Sequence, residues 1–247
     1  MTMTIVGCGD AFGAGGRLNT CFHIERGDRA CLIDCGASSM IGLNRCELDF
    51  DRIATVVLSH LHGDHFAGLV WFLIHAHHVT RRSAPMTIVG PEGTAARLEA
   101  ASEALFPGSW KVPRRFELTI REFREREPLE VDGMTVTPFA GRHPSGSLSA
   151  ALRIAIDGRT IAFSGDTEWV EDLVPCAADA DLFITECYAY EKGIPYHLNW
   201  QVLAENLDRL TARRIMLTHM NPSMLANRDR VTEPRVVLAE DGMTLTI

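Results

Sequence analysis

The sequence has no long uninterrupted apolar run. Its longest apolar stretch, about Phe66 to Val79, is interrupted by His75, His77 and His78, which makes it too short and too polar to span a bilayer. The opening Met1-Thr-Met-Thr-Ile-Val-Gly has no basic cluster and no extended apolar segment, so a signal peptide is not expected. Positive charge is also scarce. There are 24 Lys and Arg against 32 Asp and Glu, a net charge of −8. Long phosphate backbones reward clustered cations, so this balance disfavours a nucleic-acid substrate without forbidding a local patch. The seven cysteines (Cys8, Cys21, Cys31, Cys35, Cys46, Cys176, Cys187) are odd in number and include no CxxC pair. That argues against a disulfide framework and for reduced, buried thiols in a cytoplasmic protein. Low-complexity tracts and linkers are absent as well. The 247 residues, 46% hydrophobic, therefore read as a single domain, 1–247, with one large core or two halves sharing one.

What is present is a dense succession of short apolar runs and turn signals. Thr4–Val6, Thr20–Ile24, Ala30–Ile33, Ile53–Leu58 and Met86–Val89 read as strands, and Ala67–His78 and Gly93–Leu105 as helices. The charged stretch Arg114–Glu127 is expected to cover an edge. Asp132-Gly133 and Asp157-Gly158 mark two hairpins, and Asp241-Gly242 is read as the turn of a third, between Val236–Ala239 and Met243–Ile247. Leu182–Thr185 and Arg214–Leu217 read as further strands, and Asn199–Leu210 as an amphipathic helix. Strands and helices mixed without strict βαβ alternation suggest two sheets packed face to face with helices outside.

The strongest local signal is Leu58-Ser-His60-Leu-His62-Gly-Asp64-His65, four potential metal ligands within six residues at a strand end. No single helix or strand face presents all four, so a tight loop is expected, with Gly63 supplying an unusual backbone. Imidazole and carboxylate together suit Zn²⁺, and also Mn²⁺ or Fe²⁺. Three more candidates follow expected strands: His143, Asp166 in Ser164-Gly-Asp-Thr167, and His219 in Leu217-Thr-His-Met220.

On these residues the sequence resembles the metallo-β-lactamase superfamily, whose pattern HxHxDH, then His, Asp and His, is matched by His60, His62, Asp64, His65, His143, Asp166 and His219. The resemblance runs over essentially the whole chain. It implies an α/β fold, the four-layer αβ/βα sandwich, with two divalent metal ions at one edge. One metal would take His60, His62 and His143, the other Asp64, His65 and His219, with Asp166 bridging. A carboxylate at the bridging position is similar to the phosphodiesterase, tRNase Z, lactonase and glyoxalase II branches rather than to true β-lactamases. Such a bridge holds two cations about 3.5–4 Å apart, so that they can clamp the attacking and leaving oxygens.

Gly7-Cys-Gly9-Asp-Ala-Phe, Arg17-Leu-Asn-Thr20 and Ile33-Asp-Cys-Gly36 look like the tRNase Z and related phosphodiesterase branch. A dinucleotide loop is excluded there, because the glycine spacing is wrong and a strand, not a helix, follows. Glu186 and His197 lie where that branch carries a relay. His197 would protonate the leaving oxygen and Glu186 would orient it. Thr185 and Asn199-Trp200 depart from the branch pattern. The catalytic set is then His197, Glu186 and Asp64, the last doubling as a metal ligand. The 23 positions from His143 to Asp166 leave no room for the tRNA-binding arm of long tRNase Z. The layout looks more like small-molecule phosphodiesterases, such as those that cleave cyclic ribose phosphates. A small or cyclic phosphodiester is therefore the expected substrate, attacked by a water ionised between the metals. A tRNase Z-type ribonuclease and a lactonase or other ester hydrolase are the alternatives. A homodimer is implied by resemblance alone. Asp34 reads equally as a partner to a metal-binding histidine or as a turn former. Ser145, Ser147, Trp169, Tyr196, Trp200 and Asn221 are candidate pocket walls.

Overall fold

A computed structural model describes residues 1–191 and 193–247. The first sheet begins with β1 (Thr2–Gly7), β2 (Cys21–Arg26) and β3 (Arg29–Ile33), followed by helix α1 (Ser39–Arg45) and β4 (Ile53–Val57). One-turn helix α2 (Gly63–Phe66) and helix α3 (Gly68–His78) lead to β5 (Met86–Pro91), α4 (Thr94–Leu105) and β6 (Leu118–Phe123). The second sheet comprises β7 (Leu129–Val131), β8 (Met134–Ala140), β9 (Ala150–Ile156) and β10 (Arg159–Phe163), then α5 (Leu173–Ala177), β11 (Leu182–Glu186), α6 (Trp200–Asn206), β12 (Ile215–Thr218), α7 (Pro222–Ala226) and β13 (Val236–Leu238). Strand β14 (Thr244–Thr246) returns to the first sheet. The orders are β14-β1-β2-β3-β4-β5-β6 and β13-β12-β11-β10-β9-β8-β7.

The period of two along each strand explains the layering. On β2, Phe22 and Ile24 face the second sheet while Cys21 faces outward, and on β3, Cys31 and Ile33 face inward while Ala30 and Leu32 face outward. Phe22 meets Phe163 of β10 edge to face, ring centroids 5.5 Å apart, in the layer between the sheets. The outer face of the first sheet is covered from α1, α3 and α4 by Leu43, Leu69, Phe72 and Leu98. Cys176, Leu203 and Met224 from α5, α6 and α7 cover the second. This is the expected four-layer αβ/βα sandwich. No helix among the described residues is long and apolar enough to cross a membrane. All seven cysteines are free.

Several local expectations are corrected. Arg114–Glu127 does not cover an edge; it contains the edge strand β6, parallel to β5. The turn at Asp241-Gly242 closes no hairpin. β13 pairs parallel with β12, and β14 pairs antiparallel with β1, so the chain crosses from one sheet to the other there. The Asp241 carboxylate fixes that crossing by accepting from the backbone N–H groups of Cys8 and Leu18. The helix expected to begin at Asn199 begins at Trp200, with Asn199 as its N-cap accepting from Val202 N at 3.0 Å. Strands β3 to β6, and β10 to β13, form parallel runs with helical crossovers. Parallel strands present their carboxyl ends on one side, and the candidate residues following β4, β10, β11 and β12 gather at that edge.

Candidate metal centre

His60 and His62 lie in the segment after β4, whereas Asp64 and His65 sit on α2, so the expected tight loop is half loop and half helical turn. Gly63 opens that turn with room for a side chain, and its conformation is not what the motif depends on. The demanding glycine is Gly36. A Cβ there would lie 2.1 Å from the carbonyl oxygen of Asp64, so only glycine lets the chain after β3 pass beneath the motif.

The structure brings all seven sequence-selected residues together. The donor atoms of His60, His62 and His143 form one group, and those of Asp64, His65, Asp166 and His219 a second, each within 4.8 Å. Asp166 lies between the groups. Its Oδ2 is 3.9 Å from Nε2 of both His60 and His143 and 3.4 Å from His219 Nε2, while Oδ1 is 3.3 Å from His65 Nε2. Asp64 Oδ2 is 3.3 Å from both His65 Nε2 and His219 Nε2. Despite this crowding, His60 Nε2, His65 Nε2 and Asp166 Oδ1 are buried without an aligned hydrogen-bond partner. Buried polar atoms are almost always satisfied, so converging orphaned nitrogens and a carboxylate oxygen are a donor set that fits divalent cations.

The surroundings orient these rings. The buried Asp34 accepts from the Ser59 backbone N–H and hydroxyl, each at 2.7 Å, and its Oδ2 is 2.6 Å from His65 Nδ1. Of its two sequence readings, the histidine partner is the one realised. His143 Nδ1 lies 3.1 Å from the Tyr196 carbonyl oxygen, which accepts its proton and leaves Nε2 for the centre. Electrostatics act on the same groups. Burial alone would raise Asp64 and Asp166, but His65 and His219 outweigh it and hold both carboxyls well below the usual range. Burial drives His60 well down, with His65 adding to the effect.

Glu186 ends β11, fully buried, with Oε2 2.9 Å from His197 Nδ1. His197 in turn shares a 4.8 Å donor group with His143 and Asp166, and its ring stacks on His219 at 5.7 Å. The Glu186–His197 pair thus touches the cluster. Tyr188, absent from the sequence candidates, has its ring 4.9 Å from His197; its place two residues after Glu186 was the available signal. The candidate walls divide. Trp169 and Tyr196 line a cleft with His197. Trp200 packs in the core, Asn221 caps α7, and the Ser145 hydroxyl bonds the Ser147 carbonyl.

Relatives carry the comparison further. A family model described as the beta-lactamase superfamily domain matches residues 29–220. A ribonuclease Z of Mycobacterium bovis is 25% identical over 244 residues, 91% of this chain and 87% of that protein. The crystal structure of the metallo-beta-lactamase fold protein YhfI from Bacillus subtilis superposes with TM-score 0.79 at 22% identity, covering 99% of both chains. A diphosphatase from the PhnP family superposes equally well, at 0.79 and 18% identity, covering 100% of this chain and 97% of that one. With a matching domain over most of its length, on this fold and around these histidines and carboxylates, the chain belongs to the beta-lactamase superfamily and is one of its metallo-hydrolases.

Proposed function

We propose that the chain, acting as one domain, is a phosphodiesterase for small or cyclic phosphodiesters that works with two divalent cations, zinc by its donor set. His60, His62 and His143 would hold one ion and Asp64, His65 and His219 the other, with Asp166 between them. When bound, such a pair supplies an ionised water as nucleophile and offsets negative charge at phosphorus. The observation that carries the reading is the Glu186–His197 pair, a buried carboxyl behind an imidazole that touches both halves of the cluster.

The pair's chemistry follows from its setting. Burial and the nearby Asp166 carboxylate push the Glu186 carboxyl well above the usual carboxylate range, and burial lowers His197 from the ordinary histidine value. One proton held between Glu186 Oε2 and His197 Nδ1 leaves the other ring proton on Nε2. Nε2 gives that proton to the departing oxygen as the P–O bond breaks, and the proton between the pair stays on Nδ1. The attacking water contributes its oxygen to phosphorus, and its released proton restores the pair. Asp64, held ionised by its histidine neighbours, would serve the centre as a carboxylate ligand.

Zinc- or manganese-loaded protein should cleave bis-p-nitrophenyl phosphate or a member of a cyclic phosphate panel, and His60→Ala should abolish this. Turnover of lactones with no phosphodiester cleavage would overturn the reading in favour of a carbon-ester hydrolase. A ribonuclease of the tRNase Z type is the second reading, favoured by the Mycobacterium bovis relative. Against it, the segment between His143 and Asp166 is taken up by β9, β10 and the turn joining them. Cleavage of a precursor tRNA 3′ trailer in preference to small diesters would select it.

A further inference from the structure

A cleft of about 480 Å³ is lined by His197 and by none of the seven candidate metal ligands. Its volume is within the range of about 300–1,000 Å³ usual for small-molecule sites. One wall is Trp169, three residues after Asp166, and the other is the 193–199 segment with Ile194, Pro195 and Tyr196. Ile194 is 51% exposed and Tyr196 41%, uncommon values for large apolar side chains next to a reaction centre. His197 belongs to both places. It reaches the cluster through its donor group with His143 and Asp166, and it lines the cleft.

Tyr196 is held in place from both sides. Its backbone takes the left-handed conformation, φ 70°, which a bulky residue adopts only when its surroundings impose it. Its N–H donates to Glu168 Oε2 at 3.3 Å, and its carbonyl accepts from His143 Nδ1 at 3.1 Å. The same anchoring that orients His143 therefore fixes the backbone of Tyr196, which lines the cleft together with Trp169.

The charges beside the cleft are matched. Arg142 pairs with Glu168 at 2.9 Å. Arg209 lies over the Trp169 ring, 5.5 Å from its centroid, and pairs with Glu171. Among the described residues these cations already have partners, and the charged side chain that lines the cleft itself is the acidic Glu168, which disfavours a second phosphate and leaves an uncharged group as the better fit.

Resting on the phosphodiester reading above, we propose that this cleft receives the leaving alcohol. The proton donor lines this cleft and also reaches the cluster, so the group that departs with the His197 proton is the group that the cleft is placed to hold. The substrate class is a phosphodiester whose leaving alcohol carries a flat, uncharged ring. Trp169, Tyr196 and Ile194 are its specificity-determining residues.

The test compares methyl phenyl phosphate with methyl 2-naphthyl phosphate on the metal-loaded enzyme. The two esters share the phosphorus and the retained methyl group, their phenols are of similar acidity, and they differ by one fused ring. The naphthyl ester should have kcat/KM about tenfold higher, the size expected for moving one extra ring out of water. Ile194→Asp, at an exposed position where folding is not at stake, and Trp169→Ala should each bring that ratio close to one. A ratio near one in the wild type, or one that both variants leave unchanged, would overturn the cleft assignment and leave the phosphodiester reading standing. Failure to cleave either ester by an enzyme that does cleave bis-p-nitrophenyl phosphate or a cyclic phosphate would overturn the cleft assignment alone, and failure on all of these diesters would overturn both.

Discussion

Replacing Asp34 by Asn measures what the carboxylate behind His65 contributes to metal binding. The substitution suits the site. Asp34 has φ 57°, and asparagine is among the few residues that tolerate the left-handed region, so the backbone is preserved. Volume is preserved too. What changes is the negative charge and one acceptor, because a neutral amide offers a single carbonyl oxygen where the carboxylate offered two. Asp34 now serves three donors: Ser59 N through Oδ1, and Ser59 Oγ and His65 Nδ1 through Oδ2. With Asn the amide NH₂ must face one of these donors, and the carbonyl cannot serve both sides. The His65 contact, at 2.6 Å, is the charge-assisted one, and such bonds contribute about 1.5–3 kcal/mol. Weakening metal affinity by about 10- to 100-fold, the usual effect of losing such a partner, corresponds to about 1.4–2.7 kcal/mol. Two independent routes thus give the same magnitude. Competition titration of wild type and Asp34→Asn against a zinc chelator measures it directly, with circular dichroism to verify the fold. An affinity within twofold of wild type in a folded variant would refute the claim that Asp34 orients His65.

Three further outcomes are expected. His197→Ala should lower kcat by about 10²- to 10⁴-fold for diesters with alkoxide leaving groups, and much less for p-nitrophenyl esters, whose leaving group needs no proton; a loss independent of leaving-group acidity would remove His197 from the proton-donor role. Gly36→Ala should destabilise the protein by about 1–3 kcal/mol or more and weaken metal binding, since its methyl group would collide with the Asp64 carbonyl; an unchanged melting temperature would show that the close approach is dispensable. Burial, with the Arg52 charge adding and Glu25 opposing, lowers the pKa of His23 from its ordinary 6.5, so the unfolded chain binds the proton more readily. Stability should therefore fall as pH drops below about 6.5, and His23→Gln should flatten that part of the curve in urea titrations at pH 5 to 7; an unaltered slope would place the pH sensitivity elsewhere.

The centre was legible in the sequence because its chemistry is concentrated. His60, His62, Asp64 and His65 occupy six positions, and Asp166, Glu186 and His219 each follow a β-rich run whose end could be read. The sandwich was legible for a similar reason, since alternation along β2 and β3 marks two buried faces. The missed features depend on contacts distant in sequence. Val236–Leu238 and Thr244–Thr246 have the pattern of a hairpin around Asp-Gly, and only β12 and β1, outside that window, draw them apart. The role of Gly36 depends on a carbonyl 28 positions later. The hold on His143 comes from the backbone of Tyr196, which carries no signature in residue type. Helix α1 is seven residues long and has no capping hydrogen bond from a side chain, so nothing local announced it.

The crossing at Asp241 has a consequence for how the protein is made. Strand β1 has β2 on one side and β14 on the other, with Thr2 opposite Thr246. A ribosome delivers those partners far apart in time, so one edge of the first sheet stays open until the chain has been made through Thr244. An unpaired apolar strand edge is a template for association with other chains. The nascent protein thus carries an aggregation hazard at β1 until β14 has been made, and agents that slow elongation between the two should lower soluble yield.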